Sequence, residues 1–363
     1  MKKKILYLVV FLGIMLLCGC QKNSEKNIIN ELEKKINKSE SYHVVGELQI
    51  TNNDDTYQYD VDVSFKKNDN YRVSLINKSN NHEQIILKNS EGVFVVTPSL
   101  NKSFKFQSDW PKNNSQIYLL ESLVDDLKKD EKKIFEEKNN EYVFTTKVNY
   151  PNNPQLVKQN IVLDSNLNFK SVEVMNAENI SQMIMNFRSV DWNSDFNDDY
   201  FELDSIIDKI DSEELKNKKN ENSNTDDSAS EENGKNTQEQ NLEENSTTTG
   251  TINDIIFPLY IPTGTVLTAQ EKVSKVDGER IILTFDGEKP FLLVEETSSI
   301  EEEFNIIPTF GEPYLLIDTV GALTDNSITW SSNGIDYYIV SDVMSQTELI
   351  EIASSISAIP TIK

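Results

Sequence analysis

DDTYQYDVDVSFKKNDNYRVSLIN, residues 54–77, carries an apolar side chain at every second position over 57–65 and again over 71–75. Tyr57, Tyr59, Val61, Val63 and Phe65 alternate with polar residues. A period of two is the mark of a strand with one face in a core and one in water. The same rhythm begins earlier, at Tyr42 in YHVVGELQI, and continues through YRVSLI, HEQIILKN, GVFVVTP and SFKFQ. Short turns rich in Asn and Gly separate these runs. The expected result is an antiparallel meander with one wet face.

On either side of this meander the period changes. Ser24 to Ser39 reads as a helix, with Ile28, Ile29, Leu32 and Ile36 on one stripe and Ser24 as its N-cap. A core-facing helix is the expected use of that stripe. NNSQIYLLESLVDDLKKDEKKIFEE, residues 113–137, breaks the alternation. Ile117, Leu120, Leu123, Val124 and Leu127 are helical in spacing, with charges opposite. Strands resume at EYVFTTKVN, LVKQNIVLD, FKSVEVMN and SQMIMNFRSVDW. Residues 24–204 are therefore expected to form one many-stranded unit interrupted by a helix.

Residues 211–250 have a different composition. They hold eleven Asp or Glu, four Lys and three apolar residues, Leu215, Ala229 and Leu242. Such a stretch cannot bury enough surface to offset its ordering entropy. It is expected to be a disordered acidic tether, placed at 205–252. A second, smaller α+β domain is expected over 253–363. GERIILTFDGEKPFLLVEET holds two strand runs around Asp286-Gly287, and SITWSSNGIDYYIVSD is a hairpin turning at Asn333-Gly334. SQTELIEIASSI closes the chain as a helix. Ser345 and Glu348 form its capping box, and Leu349, Ile352, Ala353 and Ile356 its apolar face.

The N-terminus addresses the chain. MKKKILYLVVFLGIMLLCGC has a basic start and an apolar run from Ile5 to Leu17, the layout of a secretory signal. That run is short of the ~20 residues of a comfortable transmembrane helix. Leu17-Cys18-Gly19-Cys20 matches a bacterial lipobox. In that reading the signal region is residues 1–20: Cys18 is removed with it, and Cys20 receives diacylglycerol and becomes the first residue of the mature chain, the lipid attachment site. A plain signal peptide or a membrane helix is the competing reading. Two acyl chains are enough for stable anchoring. The expected location is the extracytoplasmic face of the cell membrane of a Gram-positive cell or its forespore.

The chain of 363 residues carries a net charge of −25. That charge excludes nucleic acid as a partner and excludes a polybasic membrane patch. Chemistry is sparse. His43 and His82, the two histidines, lack metal-ligand spacing. No Gly-rich phosphate loop and no Gly-x-Ser-x-Gly elbow occurs. Asp195, Asp198 and Asp199 could face calcium, but the glycine and distal Glu of an EF-hand loop are missing, and a solvated turn is the better reading. No catalytic residue, metal site or cofactor is expected. The chain is read as a binding protein and not an enzyme.

From its opening helix, successive strands, YPNNPQLVKQNIVLDSNLNFKSVEV and closing NISQMIMNFRSVDWNSDFNDDYFEL, residues 24–204 resemble the LolA/LppX/RseB lipoprotein superfamily. Within it the chain resembles clostridial germination lipoproteins of the GerS type. WSSNGIDYYIVSD and SQTELIEIASSI resemble a small C-terminal domain of other Firmicutes envelope lipoproteins. The resemblance implies a mostly β (α+β) protein, a half-open antiparallel β-barrel with covering helices and an apolar concave face. It also implies a regulatory partner of an envelope enzyme, a cell-wall amidase of spore cortex modification. Two alternatives stand beside it. One is a lipid-binding protein that holds an acyl-chain ligand; the other is an RseB-like envelope-stress sensor. A strand such as TYQYDVDVSF could pair with a partner if it lay at a sheet edge, but an internal position is the better reading.

Overall fold

The computed structural model describes residues 24–52, 55–112, 115–212, 251–276, 278–301 and 303–357. Cys20 and residues 213–250 of the expected tether lie outside them.

Helix α1 (Glu25–Lys38) starts where the Oγ of Ser24 accepts the N–H of Asn27. Eleven strands of the first sheet follow: β1 (Ser41–Asn52), β2 (Asp55–Lys66), β3 (Asn70–Asn77), β4 (Glu83–Asn89), β5 (Gly92–Thr97), β6 (Lys102–Phe106), β7 (Ile134–Lys138), β8 (Glu141–Lys147), β9 (Lys158–Asp164), β10 (Phe169–Met175) and β11 (Ser181–Trp192). Helix α2 (Leu120–Lys129) interrupts them after β6. All neighbours among these strands are antiparallel, in the order β6-β5-β4-β3-β2-β1-β11-β10-β9-β8-β7. The sheet does not close on itself, and β7 forms one edge.

The alternation decides which face is dry. Tyr59, Val61, Val63 and Phe65 of β2 are buried with Val44 and Leu48 of β1. Against this concave face lie Ile28, Ile29, Leu32 and Ile36 of α1 and Leu120, Leu123, Val124 and Leu127 of α2. Each such side chain contributes about 1.5–3 kcal/mol on full burial. The opposite face around β1 and β2 is wet. There Glu47 and Asp60 meet Lys78 and Arg188 in exposed ion pairs. This helix-lined, half-open antiparallel sheet is the architecture the LolA-type resemblance implies.

Two details differ from the sequence expectation, and a third settles an open one. Residues 134–138 at the end of the helical stretch form β7, because Asp130 caps α2 and the chain turns back onto β8. The segment TYQYDVDVSF takes the internal position that its sequence reading favoured over an edge, since β2 pairs with β1 on one side and β3 on the other. Residues 203–212 are helix α3, so ordered chain continues past residue 205, where the tether was expected to start. Leu203, Ile206, Ile207 and Ile210 make a stripe at helical spacing. With Phe201 they cover Ile85, Leu87, Phe94 and Val96 on the convex face of β4 and β5.

From residue 251 the chain builds a second sheet. Its strands are β12 (Thr265–Ser274), β13 (Glu279–Gly287), β14 (Phe291–Thr297), β16 (Glu312–Leu315), β17 (Val320–Leu323), β18 (Ser327–Ser332) and β19 (Ile335–Val340). Their order is β12-β13-β14-β19-β18-β17-β16. Helix α4 (Gln346–Ser357) packs Leu349, Ile352, Ala353 and Ile356 against Leu283, Leu293, Ile328 and Ile339. Asn333 and Gly334, at φ 51° and 78°, turn the β18–β19 hairpin as its Asn-Gly pair requires.

The two sheets are joined directly. Strand β15 (Asn305–Thr309) leaves the second unit and pairs in parallel with β6, extending the first sheet to twelve strands. Nearby, the amine of Lys102 is buried within 3.7 Å of Asp336 and 4.0 Å of Glu301.

Candidate functional site: the cavity between the two units

The segment after β16 enters the open mouth of the first sheet. Val320 joins its apolar core, with Leu315 and Ala322 packed beside it. Tyr59 donates its hydroxyl to the carbonyl of Ile317. Gln84 Oε1 accepts the N–H of Val320 at 2.5 Å and the hydroxyl of Thr319 at 3.2 Å. Between this plug, α4 and the sheet remains a cavity of about 400 Å³. That volume is within the ~300–1,000 Å³ usual for small-molecule sites.

Its lining has two characters. Ile50, Ile86 and Met183 from the sheet, with Ile117 and Leu156, give an aliphatic side. Tyr118, Tyr150, Tyr260 and Tyr314 give aromatic surface. Carboxamides of Asn52, Asn152, Asn153 and Gln182 add polar groups that both donate and accept. Burial pushes the Tyr314 hydroxyl up to about 12, while a hydrogen bond with Asn153 draws it back. Tyr118 and Tyr150 are raised further, again first by burial. All three stay protonated at any physiological pH and act as neutral hydrogen-bonding groups. At the rim, Gln155 donates to Glu351 Oε1 at 3.1 Å, and Tyr260 also bonds Glu351.

A second cavity of about 530 Å³ lies beside the C-terminal end of α1 and carries carboxylates. Tyr42 donates to Glu121, whose carboxyl burial raises to about 7. Asp126, raised by burial to about 6, accepts from Ser115 and Gln159, each at 2.8 Å.

The residues singled out from sequence lie apart from both cavities. His43 Nε2 is 2.8 Å from Asp62 on the wet face, a hydrogen bond that raises its pKa. His82 sits exposed in the turn before β4, its backbone N–H on Asn80 Oδ1. Asp195, Asp198 and Asp199 lie in the irregular segment after β11. Among the described residues, no group of three or more His, Cys, Asp or Glu could hold a metal ion. No helix among them is long and apolar enough to cross a membrane. Sequence reasoning missed the tyrosines of the cavity. Tyr118 precedes α2 and Tyr150 stands in the turn NYPNNPQ, where no periodicity marks a side chain as inward.

No family model matches the chain. It is 34% identical to the sporulation protein YdcC of Bacillus subtilis strain 168 over 359 residues, 98% of this chain and 96% of that protein. Among solved structures it is similar to the MucA/MucB complex of Pseudomonas aeruginosa (11% identity, 91% of this chain and 97% of that chain, TM-score 0.30). It is also similar to a LolA superfamily protein from Nitrosomonas europaea (14% identity, 50% and 99%, TM-score 0.29). A third is a complex of the CwlD amidase from Clostridioides difficile with the GerS lipoprotein (19% identity, 49% and 98%, TM-score 0.20). Scores this low do not establish a common overall arrangement.

Proposed function

The chain belongs to the family of the sporulation protein YdcC, and from that membership we propose that it serves sporulation as a non-enzymatic binding and regulatory partner of an envelope enzyme. Diacylglycerol on Cys20 holds it at the extracytoplasmic face of the membrane. The observation that carries the binding role is the docking of the second unit. The concave face is filled by α1 and α2, and the segment around Val320 occupies its mouth. A carrier needs that mouth open, whereas a partner protein works through its outer surfaces.

Strand β12 is the surface best suited to a partner. It is a free edge of the second sheet, and nine of its ten residues are exposed, including Val266 and Val273. Such an edge pairs readily with a strand of another chain. The partner class favoured by the GerS-type resemblance is a cell-wall amidase. Capture with the lipidated protein from sporulating cells should recover such an enzyme. Lys at both Val266 and Val273 should abolish recovery. Failure of the native protein to recover any envelope enzyme would sink the reading. Separately, Cys20→Ala should leave the melting temperature unchanged and stop incorporation of labelled fatty acid. Incorporation at the native level would refute the anchor.

An acyl-chain ligand is the second reading. The aliphatic side of the cavity, Ile50, Ile117 and Met183, supports it.

A further inference from the structure

We propose that the cavity between the two units binds a neutral sugar residue, one unit of an N-acetylated glycan. This goes beyond the partner reading and does not depend on it, since β12 is not among the cavity's lining residues.

Charge comes first. The chain is strongly acidic, yet among the described residues Glu351 is the one charged group lining this cavity. Its carboxylate is engaged at the rim by Gln155 and Tyr260. A phosphate, a carboxylate or an amine would find no opposite charge inside. The ligand class is therefore uncharged.

The walls then separate a sugar from a hydrocarbon chain. Tyr118 is buried and Tyr150 partly buried, both line the cavity, and neither hydroxyl is a sealed polar atom without a partner. They stand close enough to influence one another, with Tyr314 beside them. Two phenol hydroxyls lining a cavity favour a ligand that supplies donors and acceptors in place of water. An acyl chain offers neither phenol a partner and nothing to the carboxamide of Asn152, while that of Gln182 donates to the Ser181 carbonyl at 3.3 Å and keeps its oxygen for a ligand. A pyranose supplies adjacent hydroxyls for the amides and the phenols, and its C–H face lies on an aromatic ring. Tyr is suited to such a role because it combines an apolar body with a polar tip. An N-acetyl group adds one amide that pairs with a side-chain carboxamide. The aliphatic side, Ile50 and Met183, takes the methyl.

The test is calorimetric titration of the full chain carrying Cys20→Ser. The probes are the β-1,4-linked trisaccharide of N-acetylglucosamine, laurate and an uncharged alanine tripeptide. The trisaccharide should bind saturably. Tyr118→Phe with Tyr150→Phe keeps both rings and removes two oxygens; it should weaken binding about tenfold or more, the loss expected for forfeited hydrogen bonds. Gln182→Met tests the opposite wall and should weaken it as well, so the result does not hang on the folding of one variant. Binding of laurate or the tripeptide without the trisaccharide would overturn the proposal. So would no binding of the trisaccharide, or equal binding by the native chain and both variants.

Discussion

Glu295 is fully buried on β14, where its two carboxylate oxygens accept the N–H of Ile256 at 3.0 and 3.2 Å. Burial raises this carboxyl from 4.5 to about 7. Glu121, at about 7, and Asp126, at about 6, are shifted in the same direction for the same reason. Each group holds its proton at a pH where the unfolded chain has released it. Between about pH 4.5 and pH 7 the folded state binds more protons, so stability falls as pH rises. The contribution is complete below the unfolded value and is lost once the folded value is passed. The raised pKa of His43 acts with the same sign. Glu295→Gln keeps the shape and an acceptor for Ile256. It should flatten the dependence and stabilise the protein at pH 8 by on the order of 2–3 kcal/mol. Melting curves across pH 5 to 8 check this; a native protein with a flat profile would count against it. Gly46 is a second residue-level constraint. It sits where β1 shifts register against β11, and a Cβ there would lie 2.5 Å from the backbone oxygen of Asn186 and 2.4 Å from Met185 Cε. Backbone cannot retreat cheaply, so Gly46→Ala should cost about 1–3 kcal/mol, read from denaturant unfolding.

At the scale of elements, local chemistry governs. Helix α4 begins with a reciprocal cap. Ser345 Oγ meets the N–H of Glu348 at 3.4 Å, while the Glu348 carboxylate accepts the N–H of Ser345 at 2.9 Å. Ser345→Ala should cost about 1 kcal/mol. A thermal shift indistinguishable from the native protein would show that tertiary packing alone fixes this terminus. Elements of this kind were legible in the sequence. The capping box, the Asn333-Gly334 turn, the stripe of α1 and the alternation of β2 each need only a few neighbouring residues. Where a local signal was ambiguous, tertiary context decided. Ile134–Lys138 follows a helical pattern closely enough to read as its extension, but its pairing with β8 makes it strand. The stripe of α3 was masked by the acidic composition that begins nearby.

At the scale of the molecule, the contacts that create the cavity are the least local. Asn101 donates to the carbonyl of Glu301, 200 residues away, and β15 pairs with β6 across a similar distance. Nothing in NIIPT marks it as a parallel partner of KSFKF, because an edge strand accepts many sequences. The tyrosines of the cavity were hidden for the same reason: Tyr118 and Tyr150 come from the first unit and Tyr314 from the second, and only docking brings them together. Docking of β15 on β6 is thus the central claim. Ser103 and Ile306 are register partners, so their Cα atoms should lie about 4.8 Å apart, within the span of a disulfide. The most direct measurement is cross-linking of the full chain with Cys18 and Cys20 replaced by Ser, carrying Ser103→Cys and Ile306→Cys. Oxidation should give a reducible intramolecular disulfide in nearly every molecule, seen as a mobility shift on a non-reducing gel. Two free thiols after oxidation, in a chain that still melts cooperatively, would contradict the docked arrangement.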